Sequence, residues 1–233
     1  DAAAYPVIAV DLQGNATAVW QQNAGTNNLI WANRYSASGA VWGDAGLIEG
    51  DTAYTNTAPQ IVSTPSGDMV VVWTNQMSGL VSRRYVADGG TWTGRTTVAL
   101  QTPVGARLGF DSSGNVIAAW AGGSPSGVWA SRFSVASGWT AAAPTGIGLP
   151  VESGHGPGLA VDSQGNAVVV AAAADGGRRR IWASRFIVDA GWDAGWQPRV
   201  ALEDGSVDMS AADVVFDGMG NAFAAWQTAA DGG

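Results

Sequence analysis

Three residue types recur in register along this 233-residue chain and could together do chemistry. Arg34, Arg84, Arg132 and Arg185 fill one position of the stretches Leu29–Tyr35, Leu80–Tyr85, Val128–Phe133 and Arg180–Phe186. Trp42, Trp92, Trp139 and Trp192 open the segment after each stretch. Glu49, Glu152 and Glu203 close that segment in three copies, with Gln101 in the fourth. Trp42 stands as far from Glu49 as Trp196 does from Glu203. An indole face can stack on the apolar face of a sugar ring while guanidinium and carboxylate groups hydrogen-bond its hydroxyls. The same residues also suit packing: Trp fills the wedge between twisted sheets, and Arg stacks on it or pairs with Glu. The sequence leaves both roles open, with packing the stronger.

Signals for catalysis are sparse. His155, the only histidine, lies three residues after Glu152 in Glu-Ser-Gly-His without a nucleophile motif. Carboxylates could meet in pairs, but most aspartates occupy a repeated turn. All 11 basic residues are Arg and there is no Cys. Schiff-base and P-loop lysine chemistry are therefore excluded, as are thiolate catalysis, disulfides and zinc–thiolate sites. A net charge of −8 disfavours nucleic acid, since counterion-driven binding needs the opposite sign. Arg178-Arg-Arg180, the one basic cluster, falls in a hairpin loop. No apolar run is long enough for a membrane-spanning helix.

The repeated turn reads Asp-x-x-Gly-Asn, with Asp11 and Gly14, Asp111 and Gly114, Asp162 and Gly165, Asp217 and Gly220, and the variant Thr64-Pro-Ser-Gly67-Asp68. Its Asp and Asn oxygens suit calcium, yet a calcium loop gathers more acidic ligands than one per turn. Turn capping is the preferred reading: the Asp accepts amides ahead of it and the Gly takes positive φ at little cost. Calcium is the only cofactor candidate.

These turns lie about fifty residues apart, which signals a repeat architecture. Each copy carries a strand, the turn, a second strand often ending in Trp, a third bearing the Arg, and a weaker fourth. Four short antiparallel strands per unit predict an all-β propeller blade. Strands such as Met69-Val-Val-Val-Trp73 are apolar throughout, as expected where neighbours cover both faces; a parallel β-helix is the main competitor. The repeats run over 5–50, 58–101, 105–149, 157–203 and 211–233. They make one domain over 1–233, with four complete blades and half of a fifth.

The unit resembles bacterial extracellular β-propeller repeats of the NHL-like type. Pro6-Val-Ile-Ala-Val-Asp-Leu-Gln-Gly-Asn15 and Gly158-Leu-Ala-Val-Asp-Ser-Gln-Gly-Asn166 carry the likeness. The turn is similar in role to the Asp-boxes of sialidase propellers, which stabilise turns away from the active site. Length and repeat also resemble five-bladed lectins of the tachylectin type. The resemblance implies a propeller, whereas function must come from sites.

The expectation is a non-enzymatic, secreted or cell-surface binding module, taking a glycan or surface protein between blades. The alternative is a structural or assembly component using its edge or face, with a hydrolase or lyase third. The fifth copy supplies two strands, so a longer chain, a partner strand or a two-stranded last blade would account for it; the first is favoured.

Overall fold

The computed structural model describes residues 2–50, 52–100, 103–123, 126–140, 145–151, 156–190, 195–204 and 208–228. The chain is all-β, built from antiparallel sheets, and divides into two units, Asp1–Thr102 and Pro103–Gly233. No helix among the described residues is long and apolar enough to cross a membrane.

In the first unit, β1 (Ala3–Val10), β2 (Ala16–Asn23) and β3 (Asn28–Ser36) pair in sequence order. β4 (Val41–Trp42) and β5 (Gly46–Leu47) both lie on the outer edge of β3. The second sheet repeats this with β6 (Asn56–Ser63), β7 (Met69–Asn75), β8 (Gly79–Val86), β9 (Thr91–Trp92) and β10 (Thr96–Ala99). The expected fourth strand is thus two short pieces, because Gly43-Asp44-Ala45 leaves the ladder between β4 and β5.

The second unit begins with β11 (Pro103–Phe110), β12 (Val116–Gly122), β13 (Gly127–Ser134), β14 (Gly138–Trp139) and β15 (Thr145–Gly146) in the same arrangement. A four-stranded sheet follows: β16 (Gly158–Val161), β17 (Ala167–Asp175), β18 (Arg178–Phe186) and β19 (Val200–Ala201). β20 (Met209–Phe216) and β21 (Ala222–Thr228) form a two-stranded sheet.

Apolar faces stack within each unit. Val19, Ile30 and Ile48 of the first sheet pack against Val71, Trp73 and Val81 of the second. In the second unit, Ile117, Val128 and Ala130 meet Leu159, Val169 and Phe186. Val170 and Ile181 then meet Met209 and Val214. β7 and β12 are buried almost end to end, which explains their unbroken apolar sequences. Burying one large apolar side chain contributes about 1.5–3 kcal/mol, so these seams dominate the stability of each unit.

The first strands of four sheets share an irregularity that the sequence did not announce. Pairing register shifts between Ala4 and Val7, Thr57 and Gln60, Val104 and Arg107, and Ser210 and Asp213. Each shift contains a residue at positive φ: Tyr5 at 51°, Ala58 at 51°, Gly105 at 59° and Ala211 at 49°. An extra residue at one place bends the strand and raises its twist. At Gly105 the space is also closed, since an added Cβ would collide with the Gly156 backbone.

Candidate functional site

The turn aspartates act first on their own backbone. Asp11 Oδ1 accepts the amides of Gln13 (3.0 Å) and Asn15 (2.8 Å), and Asn15 Nδ2 donates to Oδ2 at 3.0 Å. Asp111, Asp162 and Asp217 repeat the pattern with Asn115, Asn166 and Asn221. Gly14, Gly67, Gly114, Gly165 and Gly220 all take positive φ, between 80° and 93°. In the second copy the parts are exchanged: Thr64 occupies the Asp position, and Asp68 Oδ1 accepts the Ala87 amide at 2.8 Å, as Asn15 Oδ1 accepts that of Ala37 at 3.0 Å. Among the described residues no cluster of acidic and histidine side chains could hold a metal ion.

Three of the four repeated arginines are bound to these same turns. Arg34 pairs with Asp11 at 2.9 Å and donates to Thr17 Oγ1 at 2.9 Å. Arg84 pairs with Asp68, and Arg132 lies 3.7 Å from Asp111. Arg185, by contrast, is exposed. Burial disfavours the charge on Asp11. Hydrogen bonds from Asn15 and Gln13 and the Arg34 charge outweigh that penalty and hold its pKa below the usual aspartate value. On exposed Asp217, bonds from the Asn221 side chain and backbone pull the pKa the same way.

The repeated tryptophans pack on the aromatic residue beside each Arg. Ring centroids are 5.5 Å apart for Tyr35–Trp42 and Tyr85–Trp92, and 5.6 Å for Phe133–Trp139. In the fourth sheet the pairing is Phe186–Trp196, at 5.3 Å and with a β-bridge between them. The expected position Trp192 lies outside the described residues, and Trp196 takes the place assigned to it. The matched spacing of Trp42–Glu49 and Trp196–Glu203 was the sequence signal for this. Glu152 and His155 also lie outside the described residues.

Glu49 does not join the Arg and Trp in a common site. It is 4% exposed, accepts the Trp73 indole N–H, and pairs with Arg95 at 3.2 Å. Trp73 Nε1 also reaches Asn56 Oδ1 at 3.1 Å. Glu49 therefore ties its own sheet to the next through the core. Glu203 instead accepts the Ile181 amide at 3.0 Å and lies 3.5 Å from Arg180 Nε, within one sheet.

One cleft in the first unit gathers several of these groups. It holds about 150 Å³ and is lined by Asn33, Arg34, Asp44, Leu47, Tyr85 and Trp92, among others. The Arg34 guanidinium lies 4.6 Å from the Tyr85 ring centroid, and Trp92 meets that ring edge-on at 65°. Asn33 Oδ1 is buried and has no hydrogen-bond partner among the described residues. Asp44 stands exposed at the rim, on the segment that interrupts the outer strand. The cleft offers an aromatic wall and a solvent-facing carboxylate, with Asn33 in its lining. Asn33 and Asp44 were not singled out from sequence, because neither recurs with the repeat.

No family model and no curated protein matches the sequence. Solved structures do resemble it. A protein of unknown function from Dyadobacter fermentans superposes with a TM-score of 0.56 at 12% identity, over 91% of this chain and 71% of that one. The intramolecular trans-sialidase of Ruminococcus gnavus, in complex with oseltamivir carboxylate, gives 0.51 at 14%, over 86% of this chain and 46% of the other. This chain thus spans about half the length of that enzyme. The endo-arabinase of Bacteroides thetaiotaomicron gives 0.50 at 15%, over 95% and 88%. At these identities the likeness concerns the fold, which is propeller-like and all-β. The expectation of a non-enzymatic module is corrected here: two chains of the same fold bear the names of carbohydrate-acting enzymes, so the architecture gives no ground for setting catalysis aside.

Proposed function

We propose that the protein is an extracellular enzyme acting on glycosides, with the cleft at Asn33, Asp44, Tyr85 and Trp92 as its saccharide-contacting groove. The site is carried on a β-propeller domain over residues 1–233, with four complete blades and half of a fifth. The observation that carries the reading is the composition of the cleft. Aromatic rings face convergent polar groups, the arrangement by which small-ligand sites fix orientation. The names of the two enzymes sharing the fold support the substrate class. Asp44 is the carboxyl group among the described lining residues: protonated, it donates to the glycosidic oxygen as the bond from that oxygen to the anomeric carbon breaks, and water adds to the carbon and returns the proton. The cleft's about 150 Å³ is smaller than the about 300–1,000 Å³ of drug-sized pockets, so it suits a single ring, with further sugar units lying along the surface.

Reducing-sugar release from arabinan, lactose and 3′-sialyllactose tests the proposal, alongside Trp92→Ala and Asp44→Asn. Release should occur with at least one substrate, and Asp44→Asn should lower it about 100-fold, within the range for loss of a general acid or base. No release from any of them, together with no saccharide-induced change in tryptophan fluorescence, would overturn it.

A further inference from the structure

The charge and hydrogen-bonding state of the cleft restricts its ligand further, on the reading that it takes a saccharide. Arg34 is the only cation among its described lining residues, and its charge is already engaged. One amino group of its guanidinium donates to Thr17 Oγ1 at 2.9 Å and the other to Asp11 Oδ2 at 2.9 Å, while the plane lies over Tyr85. Thr17 and Asp11 are buried, so these partners are fixed by the β2 strand and its turn. A carboxylated sugar would have to draw Arg34 away from Asp11, leaving that aspartate buried without its charge partner. Such an exchange is costly, because the loss falls on a group already out of water.

The carboxylate at the rim points the other way. Asp44 is exposed and has no partner among the described residues. It takes donors, and an ionised acid group on the ligand supplies none. Facing Asp44 it would meet a like charge. Sugar hydroxyls are donors without charge, and the C–H face of the ring suits Tyr85 and Trp92.

We infer that the cleft selects uncharged sugars and discriminates against sialic and uronic acids. Asp44 accepts hydrogen bonds from sugar hydroxyls, and the Arg34–Asp11 pair withholds the one cation among the described lining residues. The trans-sialidase that shares the fold was solved with a carboxylate ligand. The present cleft therefore differs in ligand class from what that fold likeness alone would suggest.

Calorimetric titration of the whole chain with arabinotriose, lactose, trigalacturonate and 3′-sialyllactose tests this. The neutral pair should bind at least about tenfold more tightly than the acidic pair, a gap of about 1.4 kcal/mol. Asp44→Arg should narrow or invert the preference by removing the like charge. Equal or tighter binding of the acidic sugars by the unmodified protein would overturn the selectivity while leaving the glycoside-acting function standing. No binding and no turnover of any of the four would remove both.

Discussion

Arg34 reaches back across β2 to the carboxylate of Asp11, 2.9 Å away, and so joins the third strand of its sheet to the turn between the first two. The turn aspartate is thereby occupied on both oxygens: Oδ1 by backbone amides, Oδ2 by Asn15 and Arg34. The same link ties Arg84 to Asp68 and Arg132 to Asp111. In these three copies the repeated arginine is a brace of its hairpin before it is anything else.

Removing that brace should destabilise the protein unequally around the chain. Arg34→Ala loses two charge-assisted hydrogen bonds and a ring contact, and we expect a cost of about 1.5–3 kcal/mol in urea unfolding. Arg185→Ala, at an exposed position, should change stability by less than about 0.5 kcal/mol. Equal effects at both sites would contradict the assignment.

The brace also sets a pH dependence. The folded-state pKa of Asp11 lies below its ordinary value, so its contribution is fully present above the unfolded pKa, about 3.9. It is lost as pH falls through the lower folded value. Melting temperature should therefore drop as pH is taken below about 4. Asp11→Asn should be less stable at pH 7 and show a shallower drop over the same acid range.

Glu49 and Trp73 provide a second test. Trp73→Phe keeps much of the buried ring but removes the indole N–H that bonds both Glu49 and Asn56. The expected cost is about 2 kcal/mol, because polar groups at 4% and 0% exposure lose a donor in a place water does not readily reach. Chemical unfolding followed by far-ultraviolet circular dichroism would measure it.

The shared bulge predicts an opposite sign. Ala58 and Ala211 hold φ near 50°, where a side chain is disfavoured by roughly 1–2 kcal/mol and glycine is not. Ala58→Gly should raise the melting temperature despite glycine's greater entropy loss. Gly105→Ala should lower it sharply, since the new methyl has no room beside Gly156.

What the sequence revealed follows from what is local. The Asp11–Asn15 turn and its copies are closed by bonds spanning four residues, so their spacing alone betrays them. Strand order and the stacking of β7 were legible for a similar reason, through the repeat and its unbroken apolar runs. The Arg34–Asp11 link joins two residues that each recur in the sequence, but their meeting depends on the register that sets Thr17 opposite Arg34. Glu49 was grouped with Trp and Arg by sequence position, whereas its partners lie on the neighbouring sheet. Trp192 stands six residues after Phe186, as Trp139 does after Phe133, whereas Trp196, the ring that packs on Phe186, lies ten residues on. The bulges at Tyr5, Ala58 and Ala211 gave no sign, since none of these residues is glycine.

The split outer strand carries a consequence for how such a chain can change. Asp44 sits where the ladder lets go between Val41–Trp42 and Gly46–Leu47, so its backbone is not committed to the sheet. Segments of this kind accept insertions and substitutions at little thermodynamic cost, while the braced inner hairpins do not. The rim of the cleft can thus be rewritten residue by residue on an unchanged frame. Among relatives of this architecture, ligand preference would then drift fastest at the gap in the outer strand and slowest at the Asp–Arg brace.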